Sequence, residues 1–280
     1  MAITSFIPTL WSGVLQHNLQ KSLVALNFVN TDYEGEIRQK GDKVKINTVG
    51  AINIGDYDGT PITLQDLTTS DTTLEVDQAK YFAFKVDDID RVQAAGELMA
   101  PAMEESAYAL ADAEDSFILG KIAAAGIANS DVIGTQLAPI TLTASNIYQS
   151  IVNMKVAMDV KNVPLTGRSI VVPSEVYALL LLDDRFVKAT SENTAEEALK
   201  NGFVGRVAGF DVYQSNNVVK SSGVWQITAQ RKQATTFASQ ITETEAFRPE
   251  SIFADAVKGL SVYGCKVTRP QEIIAMYANI

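Results

Sequence analysis

Between residues 87 and 126, Ile89, Val92, Gly96, Met99, Met103, Ala107 and Leu110 recur three or four positions apart, and Phe117 and Ile118 resume the stripe two turns further on. That is the period of an α-helix with one apolar stripe. Asp87 or Asp88 is placed to cap its start, and Gly120 or Gly126 to end it. Pro101 lacks a backbone donor, so a short helix to Leu98 and a longer one from Pro101 are expected. β-type sequence lies on both sides of this stretch, which therefore reads as a beam on which sheets are hung.

The flanking pattern is strand-like. Val44 and Ile46 alternate with Lys43, Lys45 and Asn47; Leu74 and Val76 alternate with Thr73, Glu75 and Asp77, and Phe82, Phe84 and Val86 continue the period. Between the two runs, Gly50, Gly55, Asp56, Asp58, Gly59 and Pro61 are turn residues in a loop too long for a tight hairpin. Residues 46–79 hold no Lys or Arg, whereas Asp56, Asp58, Asp66, Asp71, Glu75 and Asp77 are acidic. This reads either as a solvated loop or as an acidic arm that meets a basic patch on another copy. Ahead of it, Phe6, Ile7, Leu10, Trp11, Val14, Leu15 and Leu19 form an apolar stripe, followed by Leu23, Leu26 and Phe28. Such a segment must dock, on its own subunit or on a partner.

Beyond the long helix, 129–139 is a loop, and Thr143 or Ser145 is placed to cap a helix carrying Ile147, Ile151, Met154 and Met158. Residues 169–172 read as a buried strand, Pro173-Ser174-Glu175 opens a third helix through Leu182, and 183–195 is a polar, mobile segment. Residues 195–200 add one helical turn. Strands are expected at 203–207, 210–213, 224–229, 242–247, 260–268 and 273–277. Helices and strands segregate by region, so the class is α+β.

Composition narrows the chemistry. A formal charge of −10 without a basic run argues against binding nucleic acid by phosphate neutralisation. The single cysteine, Cys265, leaves no internal disulfide or Cys-based zinc site, and it reads as a small packed side chain. His17 is the only histidine, which disfavours a His-rich metal site or a Ser-His-Asp triad. No positive segment followed by an apolar run opens the chain, so no signal peptide is expected, and no apolar run is long enough to span a bilayer. Asp87, Asp88 and Asp90 read as helix-start carboxylates rather than a metal cluster, and Glu104, Glu105, Asp112, Glu114 and Asp115 as a solvated helical face. Gly202, Gly205 and Gly209 fit no phosphate loop. No catalytic, metal or cofactor site is expected.

The order of parts, with the phrases 202–217 (GFVGRVAGFDVYQSNN), 259–270 (GLSVYGCKVTRP) and 168–173 (RSIVVP), resembles the major capsid protein of tailed bacteriophages, of the Hong Kong 97 fold type. The resemblance implies an N-terminal arm (1–35), an extended β-hairpin loop (36–86), a peripheral domain with the spine helix (87–142 and 239–280) and an axial domain (143–238). It implies a coat protein that assembles itself, as hexamers and pentamers, into an icosahedral virion shell around double-stranded DNA. That DNA is enclosed without sequence-specific binding, and assembly takes place in the host bacterial cytoplasm. Expected partners are further copies, a separate scaffolding protein, a portal and a decoration protein, with no membrane and no cofactor. Expected subunit-interface residues are Phe6, Trp11 and Leu15 of the arm, Asp56, Tyr57, Asp58 and Asp66 of the loop, and Arg185 and Lys188 near the symmetry axis. Some members crosslink through a loop Lys and a neighbour's Asn; with no Lys in 46–79 this is not expected here. An encapsulin-type compartment and a cytosolic hydrolase are the alternatives.

Overall fold

The computed structural model describes residues 21, 23–33, 42–49, 52, 54, 56, 64–66, 69–87, 99–183, 203–249 and 254–280. Strand β1 (Lys43–Val49) pairs antiparallel with β2 (Thr69–Glu75), Val44 opposite Leu74. The alternation buries Val44, Ile46 and Leu74 and leaves Lys43 and Lys45 outside, paired to Glu75 and Asp71 at 3.3 and 3.4 Å. The period expected to run on unbroken through Val86 is divided. After Val76 and Asp77 the chain leaves this ribbon, and β3 (Gln78–Asp87) joins another sheet beside β11 (Ala254–Val267) and β10 (Thr235–Phe247). The crossing is tight: a Cβ on Gly264 of β11 would overlap the Glu75 carbonyl oxygen and sit 2.9 Å from the Val76 Cα.

The beam is helix α1 (Met99–Ala128), 30 residues long. Pro101 lies in its first turn, where a missing N–H breaks no helical bond; the expected shorter helix before it falls outside the described residues. Neither glycine stops the helix. It runs through Gly120 and Gly126 because Gly126 lets its backbone press on a strand: a Cβ there would lie 2.9 Å from Ala275 Cβ. The helix ends at Ala128, and Asn129 just past it is anchored to the segment entering β12, its Nδ2 donating to the Pro270 and Ile273 carbonyls at 2.8 Å each.

A seven-stranded mixed sheet forms the other large layer, in the order β4 (Ile140–Thr141), β12 (Ile273–Asn279), β9 (Val224–Arg231), β5 (Arg168–Val172), β7 (Phe210–Gln214), β6 (Phe203–Val207), with β8 (Lys220–Ser221) against β9. The pairs β4–β12 and β5–β7 are parallel, the others antiparallel. Strand β12 thus lies inside this sheet although its residues fall in the 239–280 span. Two hairpins close on consecutive left-handed residues, Ala208–Gly209 (φ 47° and 88°) and Ser222–Gly223 (φ 50° and 83°), the turn whose twist matches paired strands.

Helix α2 (Ile147–Val160) buries Ile147, Ile151, Met154 and Met158, the residues its spacing singles out, against one face of that sheet. The hydroxyls of Thr143 and Ser145 do not cap it. They bond each other at 3.0 Å, and Asn146 occupies the boundary, accepting from the Thr143 N–H and donating to the Thr141 carbonyl. Helix α3 (Ser174–Leu181) starts after Pro173 and shares the same face through Val176 and Leu180. The opposite face is covered by the second half of α1, through Ile118, Leu119 and Ile122, and by Val24, Ala25, Phe28 and Val29. This is the α+β class with helices on both sides of a sheet.

Candidate functional site

Three surfaces carry what is chemically distinctive in the described residues. The first holds the leading segment to the beam. Asp115, only 4% exposed, accepts the backbone N–H groups of Val24 and Ala25 through one oxygen at 2.9 and 2.7 Å. Its other oxygen accepts from Asn217 Nδ2 at 2.9 Å, and the same amide reaches Asp112 at 2.7 Å. Lys21 closes the knot, its Nζ donating to Asp112 at 3.2 Å and to Asn217 Oδ1 at 3.0 Å. Downstream, the segment lies along β10: Asn30 N–H donates to the Thr235 carbonyl and Phe237 N–H to Asn30, both at 2.9 Å. Gln230 ties the Phe28 carbonyl to the Thr235 hydroxyl. Residues 24–30 therefore dock on their own subunit.

This corrects the reading of Asp112, Glu114 and Asp115 as a solvated helical face. Asp115 is a buried acceptor, Asp112 shares its donors, and Glu114 accepts from Ser261 at 2.9 Å. Period alone could not separate them, because Asp115 sits beside the apolar stripe and its partners come from positions 24, 25 and 217.

The second surface is the hairpin. Its root, Val44, Ile46, Leu74 and Val76, packs on Ala238 and Val262. Between β1 and β2 the described residues are bare: Ile54 is 98% and Leu64 90% exposed, Ile52 is also exposed, and Asp56 and Asp66 are open to solvent. Of the expected interface residues, these two aspartates are the ones described. Phe6, Trp11, Leu15, Tyr57, Asp58, Arg185 and Lys188 lie outside the described residues, as do His17, Asp88 and Asp90.

The third surface is the outward face of the three-stranded sheet, where a groove of about 370 Å³ is lined by Tyr81, Ala83, Glu245, Lys258, Gly259 and Leu260.

Two further buried groups, Cys265 and Arg168, are held within the structure. Cys265 is buried beside Tyr263, and desolvation pushes its thiol up to about 12. Buried Arg168 donates to Asp159 at 2.7 Å and to the Val163 and Pro164 carbonyls; the donated bond holds Asp159 below the ordinary carboxylate value. Among the described residues no three His, Cys, Asp or Glu groups come together as a metal site, and no helix is long and apolar enough to cross a membrane.

A long helix packed on a mixed sheet, a leading segment clasped to that helix and a two-stranded ribbon with exposed apolar residues beyond its strands define a structural subunit of the Hong Kong 97 type. The phage capsid protein family model matches residues 68–276, and the chain belongs to that family. It is similar to a solved structure from Mycobacterium phage Che8, at 30% identity and a TM-score of 0.77 over 98% of each chain. The capsid of cyanophage P-SCSP1u has the same fold at 17% identity, TM-score 0.72, over 99% of this chain and 94% of that one. So does the mature capsid of bacteriophage PhiM1, at 17% identity, TM-score 0.64, over 96% and 91%. No curated protein matches the chain. The chain is thus a major capsid protein, a structural component of a virion capsid; neither the storage-compartment nor the hydrolase alternative is supported.

Proposed function

We propose that copies of this chain close, as hexamers and pentamers, into an icosahedral shell around the double-stranded DNA of a tailed phage. The exposure of Ile52, Ile54 and Leu64 between β1 and β2 carries this reading: three large apolar side chains beside a two-stranded ribbon are unfinished until a neighbour covers them. Phe6, Trp11 and Leu15 on the arm, Asp56, Tyr57, Asp58 and Asp66 on the loop, and Arg185 and Lys188 near the axis are the interface residues of this proposal. The arm is 1–35, the extended loop 36–86, the peripheral domain 87–142 with 239–280, and the axial domain 143–238. A shell needs no strong single contact, because many modest ones per copy add up. The net charge of −10 favours a container that repels its polyanionic contents, so the genome slides during packaging and exit.

In this reading the chain has no catalytic role. A separate scaffolding protein, a portal and a decoration protein complete the particle in the host bacterial cytoplasm. Negative-stain microscopy of the purified, concentrated protein tests the proposal. Hollow shells of uniform diameter are expected; a compact monomer at every concentration would overturn it.

A further inference from the structure

Lys21 and residues 23–30 lie across the place where α1 meets the seven-stranded sheet. Tyr108, Asp112 and Asp115 follow one another at four and three positions along α1, so they stand on one side of the helix. Each takes a group from the leading segment. The Tyr108 hydroxyl accepts the Lys21 backbone N–H, Asp112 the Lys21 ammonium, and Asp115 the N–H groups of Val24 and Ala25. From the sheet side come Asn217, whose amide bonds both carboxylates, and Tyr213, whose ring centre lies 5.3 Å from that of Phe28. The segment is graded along its length. Its front is polar and open, the Lys21 side chain being 46% exposed; its rear is apolar and buried, with Phe28 and Val29 in one cluster with Ile118, Ile122 and Val218.

We infer that this segment is a strap with two positions, closed and peeled from the front, and that the turn between β7 and β8 opens together with it. Charge makes the opening joint. Asp112 and Asp115 are anions sharing one Asn217 amide, and Lys21 is the cation bonded to that group. Lifting Lys21 takes the cation from Asp112 and a donor from Asn217 Oδ1 in one motion. The two carboxylates then face a single amide with their repulsion no longer offset. Asn217 loosens, and the turn it heads loosens with it. The rear stays shut, because Asn30 is bonded to β10 through both Thr235 and Phe237. Helix α1 also keeps its second hold on the sheet, Gly126 against Ala275, about three turns beyond Asp115. A hold on the chain ahead of Lys21 is therefore felt in the sheet through Asn217, and by reciprocity a shift of that turn frees the strap.

The strap lies within one chain, so its test does not depend on the shell reading. Amide hydrogen exchange is followed by mass spectrometry in the full chain and in Lys21→Met, which trims a half-exposed side chain and leaves the core alone. Exchange is expected to quicken about tenfold at 215–218 as well as at 23–27, the scale of one lost charge-assisted bond, while helix α2 and the Asn30–Phe237 pairing keep their rates. Asn217→Ala removes no partner of the Val24 or Ala25 backbone, yet should quicken 23–27 by a similar factor. Quickening confined in each variant to the segment that bears the substitution overturns the strap and leaves a local cap. Equal quickening in α2 would be a general loss of stability, and overturns it as well.

Discussion

One oxygen of Asp115 lies 2.7 Å from the backbone nitrogen of Ala25, across 90 residues of sequence. That bond, with its twin to Val24, makes a helix carboxylate the cap of a short 3₁₀ turn at Ala25–Asn27, whose own N-cap residue offers no side-chain acceptor. The leading segment is thus fixed to the beam by a group that belongs to the beam. Asn217 on the far side extends the same knot to the seven-stranded sheet.

Removing that carboxylate strands two buried N–H donors. Asp115→Ala is expected to lose on the order of 3 kcal/mol in urea denaturation, since each orphaned buried donor costs about 1–3 kcal/mol. Asp115→Asn keeps one acceptor oxygen and should lose about half as much. Proteolysis near residue 21 should quicken in both, in the same order. Equal stability of Asp115→Ala and the unmodified protein would mean that the knot contributes nothing.

How much of this was legible depends on where each element finds its partners. Helix α2 and strand β5 are written locally: Ile147, Ile151, Met154 and Met158 keep the helical period, and 169–172 is a short apolar run ahead of a proline. The first half of β10 is not. Thr235, Thr236, Ala238 and Ser239 have no strand period of their own and are held by pairing with Val267, Lys266, Gly264 and Tyr263. The clasp is illegible for the same reason, because Asp115 and Asn217 lie 102 positions apart. For the loop between β1 and β2, turn residues and the missing cation leave two readings, a solvated loop and an acidic arm, and the described residues there are exposed in a way that fits either.

The Asp159–Arg168 pair gives a pH signature. Its folded pKa lies below the ordinary 3.8, chiefly because Arg168 donates a hydrogen bond to it. A depressed carboxylate contributes stability that is complete above its unfolded value and is lost as pH falls through the folded one. Asp159→Asn should therefore destabilise at pH 7 by about 1 kcal/mol, a figure kept small because solvent reaches the carboxylate. The difference from the unmodified protein should shrink below about pH 4. A gap that stays constant from pH 7 to pH 2.5 would exclude the pair as its source.

Cys265 should be chemically silent. Burial raises its thiol to about 12, so the thiolate, the reactive form, is scarce at pH 8. Ellman's reagent is expected to find no thiol over minutes in the folded protein and one per chain in guanidinium. Prompt labelling of the native protein would show that the β10–β11 region opens readily.

Two glycines should respond to the same substitution with opposite sign. Gly264 lies under the hairpin root, where a Cβ would overlap the Glu75 carbonyl oxygen, a backbone atom that cannot swing aside. Gly264→Ala must lift the ribbon from the sheet and is expected to cost about 2 kcal/mol, the usual range for overpacking being about 1–3 kcal/mol. Gly120 sits inside helix α1, and a Cβ there meets nothing within 4 Å. Gly120→Ala should therefore stabilise by about 0.5–1 kcal/mol, through the smaller backbone entropy lost on folding. Thermal denaturation of the two variants checks both signs. If the two shifted together, hairpin seating at Gly264 would not be what holds the ribbon to the body.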